Sequence, residues 1–331
     1  MKKFKIEKTN FGITNDGNAA HLFSLETKTM KVLLSDFGAR VVSIFLKKQN
    51  LECVLRYDNL ESYENDDAHF GSVIGRFANR IRGGVFSCEG KTYTLTKNDG
   101  ENTLHSGSDA WDKKVWQANI NAKKNAIDFF RFSKEGEQGF PGNLYVRVRY
   151  ELKKNKLCIS YTATSDKTTP VNFTNHTYFN FSQDATIEKH FLRLYCKRFL
   201  ETDDELLPTG KICKTKKTVF DFLKKKQIDF YETEYDTCFV TNAFQKKSAL
   251  GKKKLVKVAR LFSPDKNVSM CVRTNLEGLH VYTGNFLQTK HQGICFETEI
   301  FPNSPNEKKF PDCFLRGGKT FKSKTTWEFR S

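Results

Sequence analysis

Long apolar runs are missing from this sequence. Nowhere in its 331 residues is there a stretch approaching the roughly 18 consecutive apolar positions that a membrane helix requires. That excludes a helical membrane protein, and no membrane partner is expected. The opening stretch MKKFKIEKTNFGITNDG has lysines but no apolar h-region, so no export signal is expected either. Cys-x-x-Cys is also lacking. The nine cysteines, at 53, 88, 158, 196, 213, 238, 271, 295 and 313, are odd in number and scattered. That pattern fits reduced thiols better than a disulfide framework or a zinc site, and a cytoplasmic location is expected. Three Asn-x-Ser/Thr sequences, at Asn172, Asn175 and Asn180, fall inside a segment read below as functional, where a glycan would be badly placed.

Acidic residues are in deficit. There are 38 Asp and Glu against 55 Lys and Arg, a formal charge of +17. The lysines, however, are spread along the chain in twos and threes, as at Lys47-Lys48, Lys113-Lys114, Lys224 to Lys226 and Lys252 to Lys254. Nucleic-acid binders concentrate charge on one face or element, and no such motif accompanies these runs. They read as a solvated surface, with no nucleic-acid partner and at most a weak pull on anionic ligands.

What the chain does have is aromatic and strand-like. Phenylalanine accounts for 30 residues, which favours half-buried pleated surfaces. Helical periodicity is nearly absent, and no repeat or linker interrupts the chain. Alternation predicts two strands in 31–46 about a turn at Asp36 to Gly38, and hairpins in 84–96 and 145–164. Late strands are expected at 280–287, 293–300 and 325–330, with His280 just ahead of the strand from Val281 to Leu287. Short helical turns are expected near Leu60 to Glu64 and Phe220 to Leu223. The pattern predicts an all-β fold, a large β-sandwich with few short helices, as one domain over 1–331.

Four polar clusters interrupt this pattern: GSVIGRFANRI (71–81), NDGENTLHSG (98–107), PVNFTNHTYFNF (170–181) and GICFETEIFPNSPN (293–306). Each has a plain structural explanation. An arginine pair can anchor ion pairs, and a histidine among aromatics can be a hydrogen-bonded core residue. Alternation puts Glu297 on one face with Cys295 and Glu299, which could be the solvent face.

Taken together and in order, these segments resemble the aldose 1-epimerases, the galactose mutarotase family. The similarity rests on GRFANRI (75–81), NDGENTLHSG (98–107), NFTNHTYFNF (172–181), LPTG (207–210), YDTCFV (235–240), YTGNFL (282–287) and GICFETE (293–299). It implies a galactose mutarotase-like supersandwich with a sugar cleft. It also implies roles: His176 as general acid, Glu297 as general base, and His105 beside the ring oxygen of the sugar. Asn79, Arg80 and Asp236 match sugar-binding positions. Two departures stand out. His280 takes a place where glutamine is usual, which leaves part of the sugar specificity open, and Glu299 adds a carboxylate two residues from the base.

Anomers interconvert by opening the sugar ring, rotating the aldehyde and closing on its other face. One group takes the C1 hydroxyl proton while another protonates the ring oxygen; closure reverses both transfers. A carboxylate and an imidazole suit this near neutral pH. No redox change or covalent intermediate is involved, so no cofactor is expected; without a zinc motif such as His-Glu-x-x-His, no metal is expected. The expected partner is a small-molecule aldose, and the expected assembly a monomer or homodimer. Two rival readings exist. A glycoside hydrolase would pair Glu297 with Asp236 but leave both histidines idle, and a non-catalytic sugar-binding protein would not need both His176 and Glu297. Within the enzyme class, a phosphorylated sugar is a further option.

Overall fold

The computed structural model describes residues 4–182, 184–231, 233–244 and 254–331; Lys252 and Lys253 of the lysine runs lie outside them. Among the described residues, three large antiparallel sheets dominate the fold, beside four two-stranded ladders. The first runs in chain order through Glu7–Ile13, Ala19–Glu26, Met30–Ser35, Arg40–Leu46 and Leu51–Glu52. The second has nine strands, with Leu144–Lys153, Lys156–Ser165, Thr320–Arg330 and Ser269–Thr274 as consecutive neighbours. The third has six, in the order Tyr178–Phe179, Ile294–Glu299, Gly278–Tyr282, Asp236–Val240, Arg198–Thr202 and Pro208–Lys214.

Alternation explains how the third sheet is used. Phe239, Leu279, Val281, Ile294 and Phe296 point inward and join Val272, Trp327 and Phe329 of the nine-stranded sheet in one core. The same core takes in Val32, Leu34 and Ile44 of the first sheet. The residues between them, Asp236, Cys238, His280, Cys295, Glu297 and Glu299, lie on the opposite face. That face is not open to solvent. Glu297 and Glu299 are 2% and 0% exposed, because the chain from residue 60 to 105 folds over them.

The expected hairpins form, with strands at Val85–Cys88 and Lys91–Thr94 and at Leu144–Lys153 and Lys156–Ser165. The helical turn near residue 60 is the helix Leu60–Glu64, whose Asn59 side chain accepts from the Ser62 N–H. Two expectations fail. Phe220 to Leu223 is not helical: Thr218 Oγ1 accepts from Phe220 N and Asp221 Oδ1 from Leu223 N, and these local bonds compete with a helix. The strand expected to reach Leu287 stops at Tyr282. Gly284 adopts a left-handed φ of +68°, and a Cβ there would lie 2.8 Å from the Leu287 side chain. His280 is therefore in mid-strand rather than just ahead of one.

Candidate active site

The third sheet carries the centre of the site, and its register sets the geometry. Tyr178 pairs with Cys295 in antiparallel fashion. Two residues further along, that register brings His176 to Glu297, with His176 Nε2 3.5 Å from Glu297 Oε1. The loop carrying His176 is fixed through Gly71. Gly71 N donates to His176 O at 3.0 Å, while Gly71 O accepts from the Asn175 side chain at 2.8 Å. Only glycine fits here: φ is +69°, and a Cβ would sit 1.9 Å from Val41 O. His176 Nδ1 lies 3.5 Å from Cys295 Sγ, and Nε2 is the nitrogen facing the carboxyl.

A two-stranded ladder, Arg80–Ile81 with Thr103–Leu104, brings the second and first clusters together. His105 Nδ1 accepts from Asn79 N at 3.1 Å, leaving its Nε2 as the ring donor. Asn79 and His105 both have left-handed φ values, +65° and +53°, a strained conformation that non-glycine residues keep where packing enforces it. Arg80 Nε donates to Asp99 at 2.8 Å. His280 Nε2 donates to Asp236, and its Nδ1 lies 3.2 Å from the Asn79 amide nitrogen and 3.7 Å from Glu299.

All seven residues singled out in the sequence, Asn79, Arg80, His105, His176, Asp236, His280 and Glu297, line one cavity of about 570 Å³. That is within the usual range for a small-molecule site. Tyr178 and Tyr282 flank His176 with ring centroids 5.0 and 6.1 Å away. The other arginine of the first cluster plays no part: Arg76 is buried, donating to Ser133, Lys134, Pro141 and Gly142. Among the lining residues not anticipated, one is a histidine. His69 stands over the cavity, held by a bond from Nδ1 to buried Asp112 at 2.7 Å. The only hint in the sequence was a histidine two residues before the first cluster.

Burial dominates the electrostatics. It pushes the Glu297 carboxyl well above the usual range, helped by the Asp236 charge and opposed by Arg80. Glu299 is raised in the same way, by burial and by Glu297. His176 is lowered to about 3, by burial and then by His69, and His105 is lowered well below its usual value by burial and both neighbouring histidines. Asp236 is lowered on balance: burial works against this, but the bond and charge of His280 and the charge of Arg80 outweigh it. Both shifts run towards the neutral forms of Glu297 and His176. His105, His176 and Glu297 offer ligand atoms within 4.8 Å of one another, as do Cys238, His280 and Glu299. Either set could hold a divalent ion, although acid–base proton transfer requires none.

The glycosylation sequences are closed off. Asn172, Asn175 and Asn180 are buried, and their amides are hydrogen-bonded. All nine cysteines are unpaired, and no described helix is long and apolar enough to cross a membrane.

Fold and site thus define a β-sandwich protein with an acid–base cavity for a small ligand. Residues 21–328 match the family described as aldose 1-epimerase. The chain is 34% identical to galactose mutarotase of Bos taurus over 322 residues, 92% of each chain. It is also 34% identical to aldose 1-epimerase of Escherichia coli K12 over 341 residues, covering 95% of this chain and 96% of that one. The solved galactose 1-epimerase of Lactobacillus acidophilus superposes with a TM-score of 0.85 at 26% identity, covering 99% of both chains. This chain belongs to the aldose 1-epimerase family. It is an isomerase that interconverts the α and β anomers of aldoses, built on the galactose mutarotase-like sandwich.

Proposed function

We propose that Glu297 and His176 are the base and acid of this epimerisation, acting on free hexoses such as glucose and galactose. The observation that carries this is their approach to 3.5 Å, both buried, in a cavity of about 570 Å³. Ring opening starts with Glu297 ionised and His176 protonated. Glu297 takes the C1 hydroxyl proton and His176 gives its proton to the ring oxygen, leaving Glu297 protonated, His176 neutral and the sugar an open aldehyde. After rotation about the C1–C2 bond, both transfers run backwards. The enzyme form that accompanies the aldehyde is the neutral pair that burial favours in the free cavity. Burial thus acts towards the enzyme form paired with the open aldehyde rather than the ionised pair that starts ring opening.

His105 offers its Nε2 proton near the ring oxygen, and Asn79, Arg80, Asp236 and His280 hold the hydroxyls. No cofactor takes part. The chain acts as one unit, since a single core joins all three large sheets. We read it as a cytoplasmic monomer or homodimer whose lysines form a solvated surface, with no nucleic-acid partner. The test is the rate at which purified protein equilibrates fresh α-glucose and α-galactose, followed by optical rotation. Wild-type acceleration that His176→Ala abolishes supports the reading. An active His176→Ala overturns it.

A further inference from the structure

We propose that His69, paired with Asp112, is a positioning residue that sets where the proton of the His176–Glu297 pair resides. This rests on the acid–base reading above. His69 is outside every cluster that pointed to the site, yet its ring is 5.8 Å from that of His176 and 5.2 Å from that of His105, centroid to centroid. Three imidazoles thus share one wall of the cavity, and of these only His69 is bonded to a carboxylate outside the reacting pair.

That partner is built in. Asp112 is 2% exposed, sits in the tight turn Trp111–Lys113, and bonds His69 Nδ1 at 2.7 Å. The Arg40 guanidinium locks the turn by donating to Asp112 O at 2.7 Å and to Phe70 O at 3.2 Å. His69 itself adopts a left-handed φ of +59°, a conformation unusual for histidine that aims its ring across the cavity.

The charged groups around His69 favour a cation. Asp112 and Asp66 stabilise its protonated form; burial and Lys113 oppose it, and the balance is upward. Asp112 is held down to about 2 despite its burial, by His69 and by the Arg40 and Lys113 charges, so it stays ionised. In its protonated form His69 faces His176, whose own protonation it resists. Neutral His176 with protonated Glu297 is the form that accompanies the open aldehyde. The dyad thereby stabilises the intermediate from outside the reacting pair, without touching a transferred proton.

The test compares kcat/KM against pH, from about 5 to 9, for wild type, His69→Asn and Asp112→Asn. Asparagine tolerates the left-handed backbone and can still bond Asp112, but carries no charge. Removing a cation that faces one member of a titrating pair raises the apparent pKa of that member most. Two unit charges 5.8 Å apart, partly offset by Asp112, correspond to an upward shift of about 0.5–1 unit. His69→Asn should shift the limb set by His176 upward more than the limb set by Glu297, and more than Asp112→Asn does, which removes cation and anion together. Circular dichroism melts confirm folding; if Asp112→Asn unfolds, His69→Asn alone decides. A folded His69→Asn whose profile superimposes on wild type overturns the inference for His69 alone, provided His176→Ala and Glu297→Gln are inactive. If those two variants stay active, the acid–base reading falls, and this inference with it.

Discussion

Replacing Glu297 by glutamine should separate what this residue does for catalysis from what it costs the fold. Glutamine keeps the shape but cannot accept the C1 proton. A positioned base contributes about 10²–10⁴-fold, so kcat is expected to fall by at least about 10²-fold, or about 2.7 kcal/mol of barrier. Stability should move the other way. Glu297 is 2% exposed, and its Oε2 has no hydrogen-bond partner among the described residues. Burial and Asp236 raise its folded pKa well above the unfolded value of 4.5. Between those two values the unfolded chain is ionised while the folded protein keeps its proton, so folding takes up a proton and stability declines as pH rises. The loss is about 1.36 kcal/mol per unit, hence at most about 3–4 kcal/mol between pH 4.5 and 7. Glutamine escapes this loss. Glu297→Gln is therefore expected to be inactive yet more stable than wild type at pH 7.5, with the gap closing towards pH 4.5. Polarimetry gives kcat, and urea melts at several pH values give the gap. A kcat within a few-fold of wild type would refute the catalytic role. A stability gap independent of pH would refute the account of burial.

Three further outcomes follow. His280→Ala removes the donor from Asp236, which is left in a nearly closed site; an unpaired buried acceptor costs about 1–3 kcal/mol, so KM for hexose should rise about tenfold or more. Steady-state kinetics at fixed pH check this, and an unchanged KM would show that His280 does not shape the sugar site. Arg76→Met strands the buried carbonyls of Ser133, Pro141 and Gly142 and should cost about 4 kcal/mol or more in chemical denaturation, leaving KM of the folded fraction alone; a loss under about 1 kcal/mol would sink that expectation. Exhaustive EDTA treatment should leave the mutarotation rate as it was. Loss of activity restored by a divalent ion would instead assign a metal to one of the two ligand sets in the cavity.

Much of the strand architecture was legible because alternation and turn chemistry are local. The hairpins at 85–94 and 144–165 need only a period of two and a glycine or lysine-asparagine turn. The seven site residues were found through ordered family motifs, and the fold brings all of them to one cavity. Alternation could not say which face of Ile294–Glu299 is covered. That was decided by the chain from 60 to 105 folding across the sheet, which buries Glu297 and Glu299 and raises both carboxyls. Nor could the motif GRFANRI tell its two arginines apart. Arg76 turns into carbonyls from residues 133 to 142, and Arg80 turns to the cavity. The His69–Asp112 pair joins residues 43 apart in sequence, in a loop and a tight turn that share no periodicity. The sequence by itself determined the strands, their turns and the chemical types available. Tertiary structure alone decided which side chains lose water and which charges face each other, because pKa and proton position depend on distance and burial, and neither has a local signature in the chain.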